Sequence, residues 1–256
     1  MASYQSFAQF YDSLTLNVDY KSRADYILRL FDRLNHNMGI TLDLACGTGS
    51  LTLELAQKGV DIYGIDASQD MLSEALDKAY DLGLNILFLC QKMQNIDLYG
   101  TVDTCICTLD SINHLTDIKD VQKTFDRVSL FLDPAGYFLF DVNTPYKHSE
   151  ILQNNTFVYE TDDVFCVWQN ELLDDLVVDI NIDFFVKSEH SVDQYTRYYE
   201  NFREKAYTHS EICTMLTNSG LELVAYYGDM NFNSPQCDEQ RVIYVAKKSN
   251  STYNQS

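Results

Sequence analysis

Positive charge is scarce in this sequence: 18 Lys and Arg face 38 Asp and Glu, for a formal net charge of -20 at pH 7. Nucleic-acid binding draws most of its affinity from Lys and Arg on phosphates, and no basic cluster interrupts the acidic background. DNA and RNA are therefore excluded as expected partners. Long apolar runs are missing as well. No stretch approaches the length needed to span a bilayer, and the polar start at residues 1–6 lacks a basic region followed by an apolar one, so the expectation is a chain neither membrane-embedded nor secreted. The seven cysteines form no C-x-x-C and no Cys/His zinc spacing, so no metal site is expected. Cys90, Cys105, Cys107 and Cys166 fall inside apolar, strand-like runs, which predicts buried, reduced thiols in a cytoplasmic protein.

What is present is core-forming material. At 256 residues and 46% hydrophobic content, the chain suits one domain, or one domain with a sizeable insertion. Tyr20, Ala24, Ile27, Phe31 and Leu34 recur at steps of three and four and predict a helix ended by Gly39. From 40 to 142 the pattern alternates. Strands are expected at 40–45, 60–65, 85–90, 102–109 and 136–142, with helices at 50–58, 68–82 and 117–132, the last capped by Thr116. That order predicts an α/β fold with a doubly wound, mostly parallel sheet.

Residues 143–207 break the alternation. The stretches 157–160, 164–170, 177–186 and 194–202 read as antiparallel strands, with Val178, Ile180, Ile182, Phe184 and Val186 alternating with more polar neighbours. They predict an inserted antiparallel β cap over the carboxyl edge of the main sheet. Thr208 and Glu211 form a capping box for a helix ended by Gly220, and strands at 221–228 and 240–247 complete a seven-stranded sheet. Residues 1–39 are then a helical lid segment, 40–142 with 208–248 the core, 143–207 the cap, and 249–256 a disordered tail.

The chain is organised around residues 40–51. An apolar strand runs into Ala45-Cys46-Gly47-Thr48-Gly49 and then into a helix. Gly47 and Gly49 allow positive φ and close approach of backbone to a ligand, and the N–H groups at the helix start point into the same space. Asp66 closes the second strand about twenty residues on, where a carboxylate can take both hydroxyls of a ribose. Ser68 is the expected cap of the next helix. The dinucleotide pattern G-x-G-x-x-G fails, because Thr52 stands where its third glycine belongs.

These residues resemble motif I of the class I S-adenosylmethionine-dependent methyltransferases, D-x-A-C-G-T-G, followed by G-I-D-A-S-x-x-M-L at 64–72. The similarity continues through 7–12, 110–115, 198–200 and 241–246, and matches small bacterial cytosolic members of that family. The resemblance implies S-adenosylmethionine as cofactor, and a lid that includes Phe7, Phe10, Tyr11, Leu14 and Leu16. Phe7 and Phe10 equally suit core packing. Tyr11 and Tyr20 carry hydroxyls for the methionine end of the cofactor, and Asp43 either lies near its ammonium or holds loop N–H groups. Ala45, Cys46, Gly47, Gly49, Asp66, Ala67, Met71 and Leu109 line the rest of the expected site. After the third strand the family places an acidic residue to read adenine, where this chain has Gln91-Lys92-Met93. Lys92 cannot accept a hydrogen bond from the adenine amino group, so Gln91 or a backbone carbonyl takes that role while Met93 flanks the ring.

At the end of the fourth strand Asp110, Asn113 and His114 are the polar candidates for chemistry. Histidine is the residue type suited to general-base work, which makes His114 a candidate, although a lone histidine is commonly structural, and displacement from a sulfonium can proceed by alignment alone. The run 141–146 faintly resembles the N-P-P-Y box of adenine-N6 DNA methyltransferases but follows the wrong strand and has one proline of the two. Asn143, Trp168, Tyr195, Arg197 and Tyr199 are expected to shape a substrate pocket, with Tyr195, Arg197 and Tyr199 on one strand face. Between His148 and Val186 there are nine acidic residues and no Lys or Arg, either a solvated face or a field that favours neutral or cationic acceptors. The expected function is methyl transfer to nitrogen or oxygen of a small molecule. A non-catalytic cofactor-binding protein and a nicotinamide-dependent oxidoreductase are the alternatives.

Overall fold

The computed structural model describes residues 18–162, 164–188 and 194–249. Tyr11, the rest of the expected lid before residue 18 and the tail beyond 249 lie outside them. The elements in order are α1 (Tyr20–Arg33), β1 (Ile40–Leu44), α2 (Ser50–Gln57), β2 (Asp61–Asp66), α3 (Gln69–Asp81), β3 (Phe88–Cys90) and β4 (Val102–Cys107). There follow α4 (Ile118–Phe131), β5 (Leu132–Asn143), β6 (Thr156–Glu160), β7 (Val164–Leu172), β8 (Val177–Lys187), β9 (Tyr195–Lys205), α5 (His209–Asn218), β10 (Leu221–Gly228) and β11 (Arg241–Lys248). No helix among the described residues is long and apolar enough to cross a membrane.

The main sheet has seven strands in the order β10-β11-β5-β4-β1-β2-β3. β1 to β5 run parallel, and β11 lies antiparallel between β5 and β10. Strand alternation divides the core between the two faces. Ile106, Leu139, Ile243 and Val245 pack with Ala24, Ile27 and Phe31 of α1 and Leu51 and Leu55 of α2. Cys105, Cys107, Phe138, Phe140 and Tyr244 pack with Val121, Phe125 and Val128 of α4 and Ile212 and Met215 of α5. On that side Phe138 and Phe140 stack at 4.7 Å along β5, and Phe140 stacks on Tyr244 of β11 at 5.1 Å. α1 is thus a core helix.

Local differences from the expected pattern have local causes. α4 is capped by Asp117 and not Thr116, because the Asp117 carboxylate accepts from the Lys119 N–H. β3 is only three residues long, and as the edge strand it leaves Cys90 exposed, whereas Cys105, Cys107 and Cys166 are buried as expected. β5 begins at Leu132, before the expected strand, and pairs with β4 across an irregularity between Val102 and Thr104. Ser68 caps α3 and the Thr208–Glu211 box caps α5.

A second sheet, β6-β7-β8-β9, is wholly antiparallel. Its buried face carries Cys166, Val178, Ile180, Ile182 and Phe184, closed by Leu152 from the turn after β5. The opposite face is polar: Arg197 pairs with Asp183, Arg203 with Asp179, and the Tyr199 hydroxyl donates to Asn181.

Candidate active site

The turn after β1 is shaped by backbone. Ala45, Gly47 and Gly49 all take left-handed φ, at +60°, +55° and +72°. Cys46 N–H donates to Ile65 of β2 and Gly49 N–H to Cys46. The two glycines have different tasks. A Cβ on Gly49 would stand 2.9 Å from Ala75 and 3.3 Å from the Phe88 ring, so its smallness lets α2 start against α3 and β3. Among the described residues a Cβ on Gly47 would meet nothing within 4 Å, so this is the glycine that faces open space, as a nucleotide cradle would need. Gly64 is a third, unexpected requirement, since a Cβ there would lie 2.7 Å from both Cys46 Sγ and Phe88.

Asp66 at the end of β2 accepts from Gly47 N–H at 2.9 Å and Ser68 N–H at 2.8 Å, one on each carboxylate oxygen. A carboxylate offers about four acceptor sites, so it keeps room for a ribose hydroxyl. Burial raises the Asp66 carboxyl, and the N–H groups of Ser68, Gly47 and Ala67 pull it back down. Asp43 is buried and accepts from Thr52 Oγ1 at 2.5 Å, not from loop N–H groups. Burial pushes Asp43 up to about 7, against the Thr52 bond and with help from Asp66. Thr52, which breaks the dinucleotide pattern, is thus the partner of the strand carboxylate.

Beyond β3, Gln91 is committed to its own loop: its amide donates to Asp97 O and accepts from Asp97 N–H. Of the two ways left open for reading adenine, the side chain is thereby occupied and backbone remains. Lys92 is exposed; Met93 is half-buried, with its sulfur 3.9 Å from Cys107 Sγ. Met71 follows the Ser68 cap, exposed Ala67 accepts from Cys90 Sγ at 3.5 Å, and Tyr20 packs half-buried beside the α1 core.

The end of β4 is made by side chains. Leu109 and Asp110 both take left-handed φ, a strained pair held because the buried Asp141 carboxylate accepts from both N–H groups at 2.9 and 2.7 Å. Arg23 of α1 lies 3.3 Å from Asp141, and Arg241 of β11 lies 3.8 Å from Asp141 and 3.1 Å from Asp110. Burial works to raise the Asp110 carboxyl, but Arg241, Lys147 and His114 and the Asn143 hydrogen bond outweigh it and hold it at about 2. Asn143 is the hub, donating to Asp110 and to Glu204 at 3.0 Å while accepting from Lys147 at 2.9 Å. Asn143 therefore serves as a buried organiser, not as a surface open to substrate.

Asn113 is a correction of the same kind. It is fully buried, donates to the carbonyls of Asn143 and Lys205 and accepts from Asn143 N–H, which ties the β4 loop to the ends of β5 and β9 and leaves no group for chemistry. His114 keeps 45% of its side chain exposed, packs its ring 5.0 Å from Phe202 and sets Nε2 3.8 Å from Glu204.

The cap residues divide by parity. Phe202 and Glu204 reach the β4 loop, so the even-numbered positions of β9 face the main sheet. Tyr195, Arg197 and Tyr199 are odd and exposed on the far face, which removes them from the site. Trp168 pairs with Ile182, which pairs with Glu200, and so lies on the near face; its indole N–H donates to Asn170. A one-residue frame on β9 reverses this assignment, and alternation alone does not fix it. Glu204, His148, Lys147 and Arg241 are the site residues that sequence reading missed. The only hint was Arg241, the first residue of a stretch noted for its family likeness.

Residues 41–136 match the family described as Methyltransferase domain. YqeM of Bacillus subtilis (strain 168), a provisionally assigned methyltransferase, is 34% identical over 96% of this chain and 97% of its own length. A crystal structure of an S-adenosylmethionine-dependent methyltransferase from Clostridium acetobutylicum ATCC 824 superposes with a TM-score of 0.88 at 36% identity, covering 96% of this chain and 99% of that one. A glycine/sarcosine N-methyltransferase of Halorhodospira halochloris is 31% identical over 48% of each chain.

Proposed function

This chain belongs to the S-adenosylmethionine-dependent methyltransferases, and we propose that within that family it methylates a nitrogen or oxygen of a small-molecule acceptor. The observation that carries the acceptor class is the second sheet: β9 lays Phe202 and Glu204 against His114 at the end of β4, over the edge where ligands of such sheets bind. A lidded edge of this kind suits a small acceptor. The excess of acidic residues argues against a polyanion, and a relative named for N-methylation of glycine and sarcosine supports an amine. Seven free cysteines suit a reducing compartment such as the cytoplasm.

S-adenosylmethionine supplies a methyl group on a sulfonium, an already activated leaving group. In this reading Ala45, Cys46 and Gly47 give the cofactor its backbone wall, Asp66 takes the ribose hydroxyls and Asp43 lies toward the ammonium. Met71 and Met93 flank the adenine, and Leu109 borders the methyl. The protein's task is alignment, because holding nucleophile and carbon in line removes much of the barrier. His114, exposed beside Phe202, is the group able to accept a proton from the acceptor, and Trp168 shapes the acceptor's side of the cap.

The test is incubation of the protein with methyl-labelled cofactor and a cell extract filtered to remove macromolecules. Label in a small molecule is the expected result. Label only when RNA, DNA or protein is restored would overturn the acceptor class.

A further inference from the structure

His148 is fully buried, and its Nε2 is the one buried side-chain nitrogen or oxygen without a hydrogen-bond partner among the described residues. Its other ring nitrogen, Nδ1, sits 2.8 Å from the Leu176 carbonyl. A carbonyl only accepts, so Nδ1 carries a proton, and a neutral ring must then point the Nε2 lone pair at whatever faces it. What faces it is a Glu204 oxygen at 3.8 Å. Two lone pairs cannot be left opposed in a buried site without cost, and a proton on one of them relieves it once the two atoms close from 3.8 Å to the roughly 2.7–3.2 Å of a hydrogen bond. The second oxygen of the same carboxyl lies 3.8 Å from His114 Nε2.

We propose that Glu204 and His148 share one proton beneath the reacting edge, and that through this pair Glu204 is the positioning residue for His114. The inference rests on the small-molecule reading above for its last step only. During transfer the acceptor's lone pair forms the new bond to carbon, and the carbon–sulfur bond breaks with its electrons left on sulfur. The proton leaving the acceptor's N–H or O–H goes to His114 Nδ1, the ring nitrogen turned away from Glu204. Glu204 holds the ring's other edge in place and compensates its charge, with the shared proton passing to His148 as Glu204 ionises. His114, being half exposed, then returns its proton to water.

Burial supports the pairing from both sides: it raises the Glu204 carboxyl, with Asp110 adding to the rise, and lowers the His148 ring, so the proton rests on Glu204. The charged groups that bear on the pair are Asp110 and His114 from the β4 loop, Lys147 from the turn after β5, and Arg241 from β11. The signs give a measurable consequence. A carboxyl whose folded value lies above its ordinary 4.5 adds stability that is complete below 4.5 and is lost as pH rises through the elevated value.

Glu204→Gln removes that titration in a side chain of the same size; the oxygen that faces His148 is also the one that accepts from Asn143, so the amide serves one of these two partners at that position. His148→Gln, which keeps a donor for Leu176, is the second variant should the first fold poorly. Thermal melts of wild type and variant from about pH 5 to about pH 9 should show wild type losing ground to the variant as pH rises. Parallel curves would overturn the shared proton. With the labelled cofactor and filtered extract, the variant should turn over about tenfold more slowly near neutrality, with its KM for S-adenosylmethionine unchanged and its pH dependence flattened. Wild-type turnover at every pH would overturn the positioning role. Absence of any labelled small molecule with the wild-type protein counts against the acceptor class alone, since the melts decide the shared proton without an acceptor.

Discussion

The two halves of the carboxyl edge are built by different means. On the cofactor side, the β1–α2 turn and the end of β2 are backbone structures. Left-handed residues, a glycine open to space and two N–H groups on Asp66 all come from one stretch of chain between Ala45 and Ser68. On the acceptor side, Asp110, Asn143, Glu204 and Arg241 come from four separate elements and are held by side-chain contacts, such as Asn143 to Glu204 across 61 positions. Backbone-built sites keep their shape when a side chain changes. A buried side-chain network fails as a unit when one charge is removed.

Substitutions on the two sides should separate them. The largest effect is expected from Gly47→Val, which fills the open space and places a β-branched residue at positive φ at a cost of about 1–3 kcal/mol. Calorimetric titration should show no S-adenosylmethionine binding while circular dichroism stays native; retained binding would mean the turn is only structural. Arg241→Met should break the other half. It leaves Asp110 and Asp141 buried without that partner and should lower stability by roughly 3–5 kcal/mol, read as a fall in the urea midpoint. An unchanged midpoint would show that Arg23 and Lys147 compensate fully.

Asp66→Ala comes next. Loss of charge-assisted bonds to ribose, worth roughly 1.5–3 kcal/mol each, should weaken cofactor binding at least about tenfold and loosen the turn through Gly47 N–H. An unchanged dissociation constant with native melting would remove Asp66 from the site. Asp43→Asn tests burial itself. Because the folded Asp43 value of about 7 lies above its ordinary 3.8, wild type loses stability as pH climbs between these values, and the variant should gain on it over that interval. A melting difference independent of pH would mean that Asp43 stays ionised. The smallest effect is expected from Arg197→Ala on the far face of the cap, with turnover and cofactor affinity within about twofold of wild type, as for an exposed ion pair. A larger loss would put that face of β9 into the site after all.

The same division governs what could be read in advance. Periodicity in 40–142 is a property of each segment alone: an apolar strand, a small-residue turn and an amphipathic helix announce themselves within a dozen residues, so the parallel order and the Ala45–Gly49 turn were legible. The parity of β9 was not, because Tyr195, Arg197 and Tyr199 alternate as regularly as Tyr198, Glu200 and Phe202, and it takes Phe202 against His114 and Glu204 reaching Asn143 to show which set faces the main sheet. Gln91 and Asn113 misled for a related reason. An amide binds a ligand or its own chain with equal ease, and its partners Asp97 and Lys205 are found only in space.

Sequence by itself therefore determined the turn after β1 and the end of β2, the half proposed to hold the cofactor, because local backbone conformation follows from residue size and spacing within one βαβ unit. Tertiary structure alone decided the acceptor half. There a carboxyl on β9, a histidine in the turn after β5 and a histidine after β4 meet through pairing and packing of segments whose separation along the chain carries no record of their distance in space.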